Sequence, residues 1–237
     1  HAINNPGAYL VQPWDHSAES QPFLRFAAAG GGTGQPAALS LGPSSGHLAL
    51  VIYPGGPRPR SSRQDILIAP MARPNEQREF VTADASELSP RISPNGRWLA
   101  YTSNESGTFQ LYVMPVPGPG PRTPISIEHG TEPVWSRDGR TLYYVSRGSL
   151  LAARIDETSG IRATRQDTLF NFVEKGYMVL PPPRTSGTPT GFYDVLPNGG
   201  FAVLSRSVGT DSSRSGVIAL MHWQQLLKRQ AAEGAKQ

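Results

Sequence analysis

The sequence predicts an all-β chain assembled from repeated, four-stranded antiparallel units. Three observations predict it. The first is composition: 25 glycines and 23 prolines make up a fifth of the 237 residues, and charged residues only 17%. Coiled coils and long-helix bundles need few such breakers and many Ala, Glu, Lys and Leu, so those classes are excluded. The second is a glycine-centred turn that recurs along the chain. The third is that a strand-length run, apolar or alternating, follows each turn, the signature of strands and not of helices.

The repeats can be laid side by side. Ser93-Pro94-Asn95-Gly96-Arg97-Trp98-Leu99-Ala100-Tyr101 matches Ser136-Arg137-Asp138-Gly139-Arg140-Thr141-Leu142-Tyr143-Tyr144, then Leu196-Pro197-Asn198-Gly199-Gly200-Phe201-Ala202-Val203-Leu204. A weaker copy runs from Ser40 to Leu50 through Ser45-Gly46. The turn glycines Gly46, Gly96, Gly139 and Gly199 are 50, 43 and 60 residues apart. Asn-Gly and Asp-Gly favour two-residue hairpins in which both turn positions take positive φ, so such a hairpin is expected at these turns. Third strands follow at Asp65–Pro70, Phe109–Pro115 and Ser149–Ile155. Fourth strands follow at Arg78–Thr82, Arg122–Ile127 and near Thr168–Phe172. Four strands per unit of about 40–50 residues is the period of a β-propeller blade.

The organisation expected is therefore all-β, a β-propeller of four-stranded antiparallel blades with a short C-terminal helix. Residues 1–35 supply a half blade of outer strands (Ala8–Pro13 and Pro22–Ala27) and a Gly-rich linker. Full blades follow over 36–83, 84–127, 128–172 and 173–221. Residues 222–237 form the helix and tail, with Trp223, Leu226 and Leu227 on its apolar side. Long loops are expected at Pro54–Gln64 and Pro181–Gly191. One blade cannot bury both its faces, so blades must stack. Trp98, Tyr101, Trp135 and Tyr144 read as the packing between them.

Several functions are set aside on chemical grounds. The net charge of +4, from 22 basic and 18 acidic residues, comes without a dense basic run. Arg58, Arg60 and Arg63 sit among Pro and Ser as a solvated loop, so nucleic acid is not an expected partner. With no Cys there is no disulfide framework or thiolate metal site. The five His residues are scattered without metal-ligand spacing, so no metal or other cofactor is expected. No apolar run reaches the roughly 18 residues of a membrane helix. Gly42-Pro43-Ser44-Ser45-Gly46 matches G-x-S-x-G in letters, but a nucleophile elbow joins a strand to a helix, and here a strand follows. Asn104-Glu105-Ser106 fits a glycosylation sequon by pattern only. Glu87, Glu132 and Asp194 precede or lie in inner strands and are the carboxylates able to approach a central channel.

Any ligand is expected at the tunnel mouth, where inner strands converge. The candidates are Glu87, Arg91, His129, Glu132 and Tyr193, each on or just before an inner strand. The competing expectation for each is a hydrogen bond to a neighbouring blade's loop.

Ser93 to Gly107 resembles the TolB-like, PD40-type β-propeller repeat. Gln110 to Pro119, Gly130 to Gly139 and His222 to Lys228 make the chain similar to the C-terminal propeller of bacterial membrane serine/threonine protein kinases. The resemblance covers roughly residues 36–230. It departs at His222, where that family usually has Asn, and at Ser45-Gly46. It implies about six blades. The four and a half counted here then form an incomplete ring with an exposed blade face near the N-terminus. It also implies a non-catalytic module that binds a protein or small-molecule ligand. Such a module would be the extracytoplasmic (periplasmic) sensor of a receptor kinase, tethered by an upstream membrane helix. No Gly-rich loop, His-Arg-Asp or Asp-Phe-Gly motif occurs, so this chain carries no kinase residues of its own. A chain starting at His1 reads as a fragment or processed form. Two alternatives stay open: the gating propeller of a prolyl-oligopeptidase-type serine peptidase, and a TolB-like protein-interaction scaffold.

Overall fold

The computed structural model describes residues 8–11, 21–25, 36–52, 64–81, 83–174, 191–206 and 215–220. The expected Gly-rich linker, most of the two long loops and the C-terminal helix lie outside them. No helix occurs among the described residues.

Among the described residues seventeen strands form five antiparallel sheets. Strands β1 (Ala8–Val11) and β2 (Gln21–Arg25) make a two-stranded ribbon. The first full blade is β3 (Pro36–Gly42), β4 (His47–Ile52), β5 (Asp65–Pro70) and β6 (Arg78–Val81). The second is β7 (Glu87–Ile92), β8 (Trp98–Ser103), β9 (Gln110–Pro115) and β10 (Thr123–Pro124). The third is β11 (Thr131–Trp135), β12 (Thr141–Ser146), β13 (Ser149–Asp156) and β14 (Arg162–Asn171). The last blade shows β15 (Tyr193–Val195), β16 (Phe201–Arg206) and β17 (Ser215–Leu220). Within every sheet the strands follow chain order, as a meander of hairpins.

Blade stacking follows from the period of two along each strand. On β8, Leu99 and Tyr101 pack with Ala49, Val51 and Ile66 of the first blade. Ala100, between them, turns instead to Trp135, Leu142 and Tyr144 of the third. On β12, Leu142 and Tyr144 face the second blade, while Tyr143 and Val145 face Phe201 and Val203 of the last. A strand buried on both faces needs apolar residues at consecutive positions, which is why these strands read Leu-Ala-Tyr and Leu-Tyr-Tyr-Val. Tyr101, Trp135 and Tyr144 are thus blade-to-blade packing, and Trp98 flanks the same core.

Four local expectations are corrected. The hairpins at the repeat turns of Gly46, Gly96, Gly139 and Gly199 are not two-residue loops with two positive φ angles; that geometry occurs instead between β12 and β13, at Arg147 (φ 47°) and Gly148 (φ 79°). At Ser93–Trp98 only Gly96 has positive φ (73°). Gly96 N donates to Ser93 O and Ser93 N to Trp98 O, both at 2.8 Å. Pro94 holds the first turn position at a helical φ, which makes a type I turn closed by a left-handed glycine. Asn95 Oδ1 then accepts from Arg97 N (3.0 Å) and from Ser93 Oγ (2.7 Å). Second, β14 starts at Arg162 and not near Thr168. Its outer face is polar and so resembles a loop in sequence. Third, β10 is only Thr123–Pro124, because proline has no N–H for the ladder. Fourth, the N-terminal side of the first blade is not exposed: Leu48, Leu50 and Ala69 are buried there. Among the described residues the exposed large apolar side chains on strands are Leu41 of β3 (48%) and Leu204 of β16 (41%). Among the described residues no apolar core joins the first full blade to the last, in keeping with an incomplete ring.

Candidate functional site: a cleft where the inner strands converge

The first strand of each of the four blades after the ribbon is the inner one: β3 packs on β7, β7 on β11 and β11 on β15. Side chains tie each to its neighbour's backbone. Ser40 Oγ accepts from Ile92 N (3.0 Å), Trp135 Nε1 donates to Arg91 O (2.9 Å), and Tyr193 Oη donates to Glu132 O (2.7 Å). These bonds hold four strands from four blades in fixed register. Trp135→Phe removes the only donor to Arg91 O that the indole supplies. It should cost about 1 kcal/mol, the net worth of one hydrogen bond between blades. Urea unfolding measures this, and an unchanged midpoint would contradict it.

Two of these strands are bulged. Register slips between Leu88 and Arg91 on β7 and between Thr131 and Val134 on β11. Ser89 and Glu132 take φ of 51° and 53° at the bulges, each just before a proline. A bulge re-aims a side chain, and here it brings the Glu132 carboxylate to the Ser89 hydroxyl of the adjacent blade. Glu132 is buried, and burial pushes its carboxyl up to about 7, against the pull of the Arg91 charge and the Ser89 hydrogen bond. Tyr193 is driven above its usual value by burial first and then by the Glu132 charge.

At the hairpin end of these strands lies a cleft of about 510 Å³. Its walls include Leu41 of β3, Arg91 of β7, Val134 of β11, and Tyr193 and Asp194 of β15. Arg91, Val134 and Asp194 each stand five residues before the turn glycine of their own blade, so they are register equivalents that converge on one opening. Leu41 (48% exposed) and Leu204 form an apolar rim.

The structure brings Arg91, Glu132 and Tyr193 together. Arg91 and Tyr193 line the cleft, while Glu132 lies buried behind them. The other two candidates sit at the opposite ends of their strands. Glu87 begins β7 and is fully buried; its N–H donates to Gln64 O (2.8 Å), and Ser103 Oγ donates to its Oε1 (3.3 Å). Burial first, then the Asp65 charge, pushes Glu87 up to about 8, although the Ser103 hydrogen bond and Arg122 oppose the rise. Its Oε2 has no partner among the described residues. His129 precedes β11 near the Arg147–Glu128 ion pair (2.6 Å). Burial and then the Arg147 charge lower its pKa. Asp194, one of the channel carboxylates, belongs with the cleft and not among the five ligand candidates. The signal that finds it is its register match with Arg91 and Val134. Among the described residues no three His, Asp or Glu side chains gather as a metal site.

A scan against protein-family models finds no match, and a search of curated proteins finds none. Solved structures do match. TolB from Acinetobacter baumannii aligns with a TM-score of 0.57 and 16% identity, over 90% of this chain and 45% of that one. A chain of a nidogen/laminin complex aligns at 0.53 and 10% identity, over 81% of this chain and 61% of that one. A gluconolactonase from Xanthomonas campestris aligns at 0.52 and 15% identity, over 90% and 65%. At these identities the likeness is one of fold. The chain spans about half the length of the TolB structure it matches.

Proposed function

We propose, from a chain whose fold is that of a TolB-like β-propeller, that it is a non-catalytic module for binding a ligand or protein at the cleft of its inner strands. In this reading it is the extracytoplasmic sensor portion of a bacterial serine/threonine protein kinase. The observation that carries the binding role is the convergence of Arg91, Val134 and Asp194 from three blades on one cleft. The lining residues favour binding over chemistry. No His lies among them, and their hydroxyls are engaged: Ser40 Oγ with Ile92 N, Ser93 Oγ with Asn95 Oδ1. A serine nucleophile needs an adjacent base, which this lining does not offer.

The kinase context is supported by the resemblance of Gln110 to Pro119, Gly130 to Gly139 and His222 to Lys228 to kinase-linked propellers. Reading the gene upstream of His1 tests it. A kinase domain followed by a membrane helix is the expected result. A reading frame with neither would overturn the sensor assignment, and an α/β-hydrolase encoded downstream would replace it with a gating propeller.

A further inference from the structure

We propose that Arg91 is the anion-recognition group of the cleft, and that its ligand is the free C-terminal end of a peptide with an apolar last residue. This rests on the ligand-binding reading above and names the ligand chemistry. Arg91 is half-buried, and among the described residues its guanidinium makes no ion pair; Glu132 acts on it through space, without a hydrogen bond. A Cβ at Gly191 would lie 3.4 Å from Arg91 Nη2, so the glycine leaves that side of the guanidinium uncovered by a side chain. An arginine fork matches a carboxylate with two parallel N–H···O bonds.

The surroundings narrow the class. Val134, Phe192, Leu41 and Leu204 offer apolar wall beside this one cation, which suits a last side chain attached next to a carboxylate. Asp194 stands exposed on the same cleft. One cation and one carboxylate on the same cleft favour a ligand with a single negative end over phosphate or any polyanion. The volume is that of a site for a short segment.

Proton linkage supplies an independent readout. Glu132 faces Ser89 and Arg91 of β7, and Tyr193 of β15, which in turn feels Asp194 and Tyr143. A ligand carboxylate at Arg91 adds negative charge near Glu132 and favours its protonated form. Binding should therefore tighten as pH falls from 8 to 6.

The test uses the full chain and acetylated tetrapeptides ending in Leu, Val or Phe, each as free acid and as amide, with inorganic phosphate as control. Binding is followed by calorimetry and by NMR shifts of the Trp135 indole N–H, which reports on Arg91 O. The free acids should bind roughly tenfold or more tighter than the amides, the strength of a charged hydrogen-bonded pair. Arg91→Gln should erase that difference, and Arg91→Lys should restore part of it. An unshifted Trp135 resonance in the unliganded variants shows that the fold is kept. Acids and amides binding the cleft alike would overturn the proposal and leave the ligand-binding reading standing. Phosphate binding more tightly than the peptides would overturn it too. Peptides that bind but shift only residues away from the cleft would overturn both, and no binding by any peptide overturns the proposal.

Discussion

Gly96→Ala should destabilise the protein by about 3–5 kcal/mol, the range of substitutions that strain the backbone and overpack a buried contact. Gly96 is buried with φ of 73°, a conformation that costs L-residues about 1 kcal/mol or more. The larger cost is steric. A Cβ there would stand 2.5 Å from Ser45 N, 2.7 Å from Ser45 Cβ and 2.9 Å from Ser44 C. These atoms belong to the hairpin of the preceding blade and are largely backbone, so they cannot rotate away. The same shift would disturb the Ser44 Oγ to Pro94 O bond (2.7 Å) that locks the two hairpins together. Gly199 gives the control. Its φ is 79°, yet nothing lies within 4 Å of a Cβ there. Gly199→Ala should cost only about 1 kcal/mol, the conformational part alone. Urea unfolding of both variants makes the comparison, and equal losses would show that the first two full blades do not nest at their turns.

Glu87→Gln should stabilise the protein at alkaline pH by about 2–4 kcal/mol and by little at pH 4. Glu87 is 0% exposed, and its carboxyl titrates at about 8 when folded against 4.5 in the free residue. Below 4.5 both folded and unfolded states hold the proton, and Glu87 costs nothing. As pH rises from 4.5 to 8 the unfolded chain ionises while the folded one resists, so stability falls across that window and levels off above it. Each tenfold displacement of the proton equilibrium is worth about 1.4 kcal/mol. Around it stand Asp65, Glu105 and Arg122, and Arg122 is itself paired with Glu105. Thermal unfolding of wild type and variant at pH 5 and pH 8.5 reads the effect, with a gain of about 4–16 °C at the higher pH for a chain of this size. A difference independent of pH would mean that Glu87 is not buried in this way.

The blade plan was legible in the sequence because local and global signals agree. Asn95-Gly96 and Asp138-Gly139 mark the turns, and Leu99-Ala100-Tyr101 carries two buried faces on consecutive residues. What was hidden follows from tertiary context. The polar run Arg162–Asp167 lies on an outer strand with one solvated face, and so looks like loop until β13 pairs with it. The left-handed Ser89 and Glu132 are set by the bulges, for which only the following Pro90 and Pro133 give a sign. Glu87 opens a strand, where a carboxylate usually meets water, and only the stacked blade behind it reveals its burial. At the cleft, Arg91 and Tyr193 were legible from their place on inner strands. Asp194 needed the three turn glycines to be used as a common ruler.

Whether this propeller binds its ligand where its inner strands converge is decided by a crystal structure of the chain with the tightest-binding free-acid peptide. The terminal carboxylate should lie against the Arg91 guanidinium and the last side chain between Val134, Phe192 and Leu41. A peptide seated elsewhere, on an outer blade edge or at the strand ends near Glu87 and His129, would contradict it.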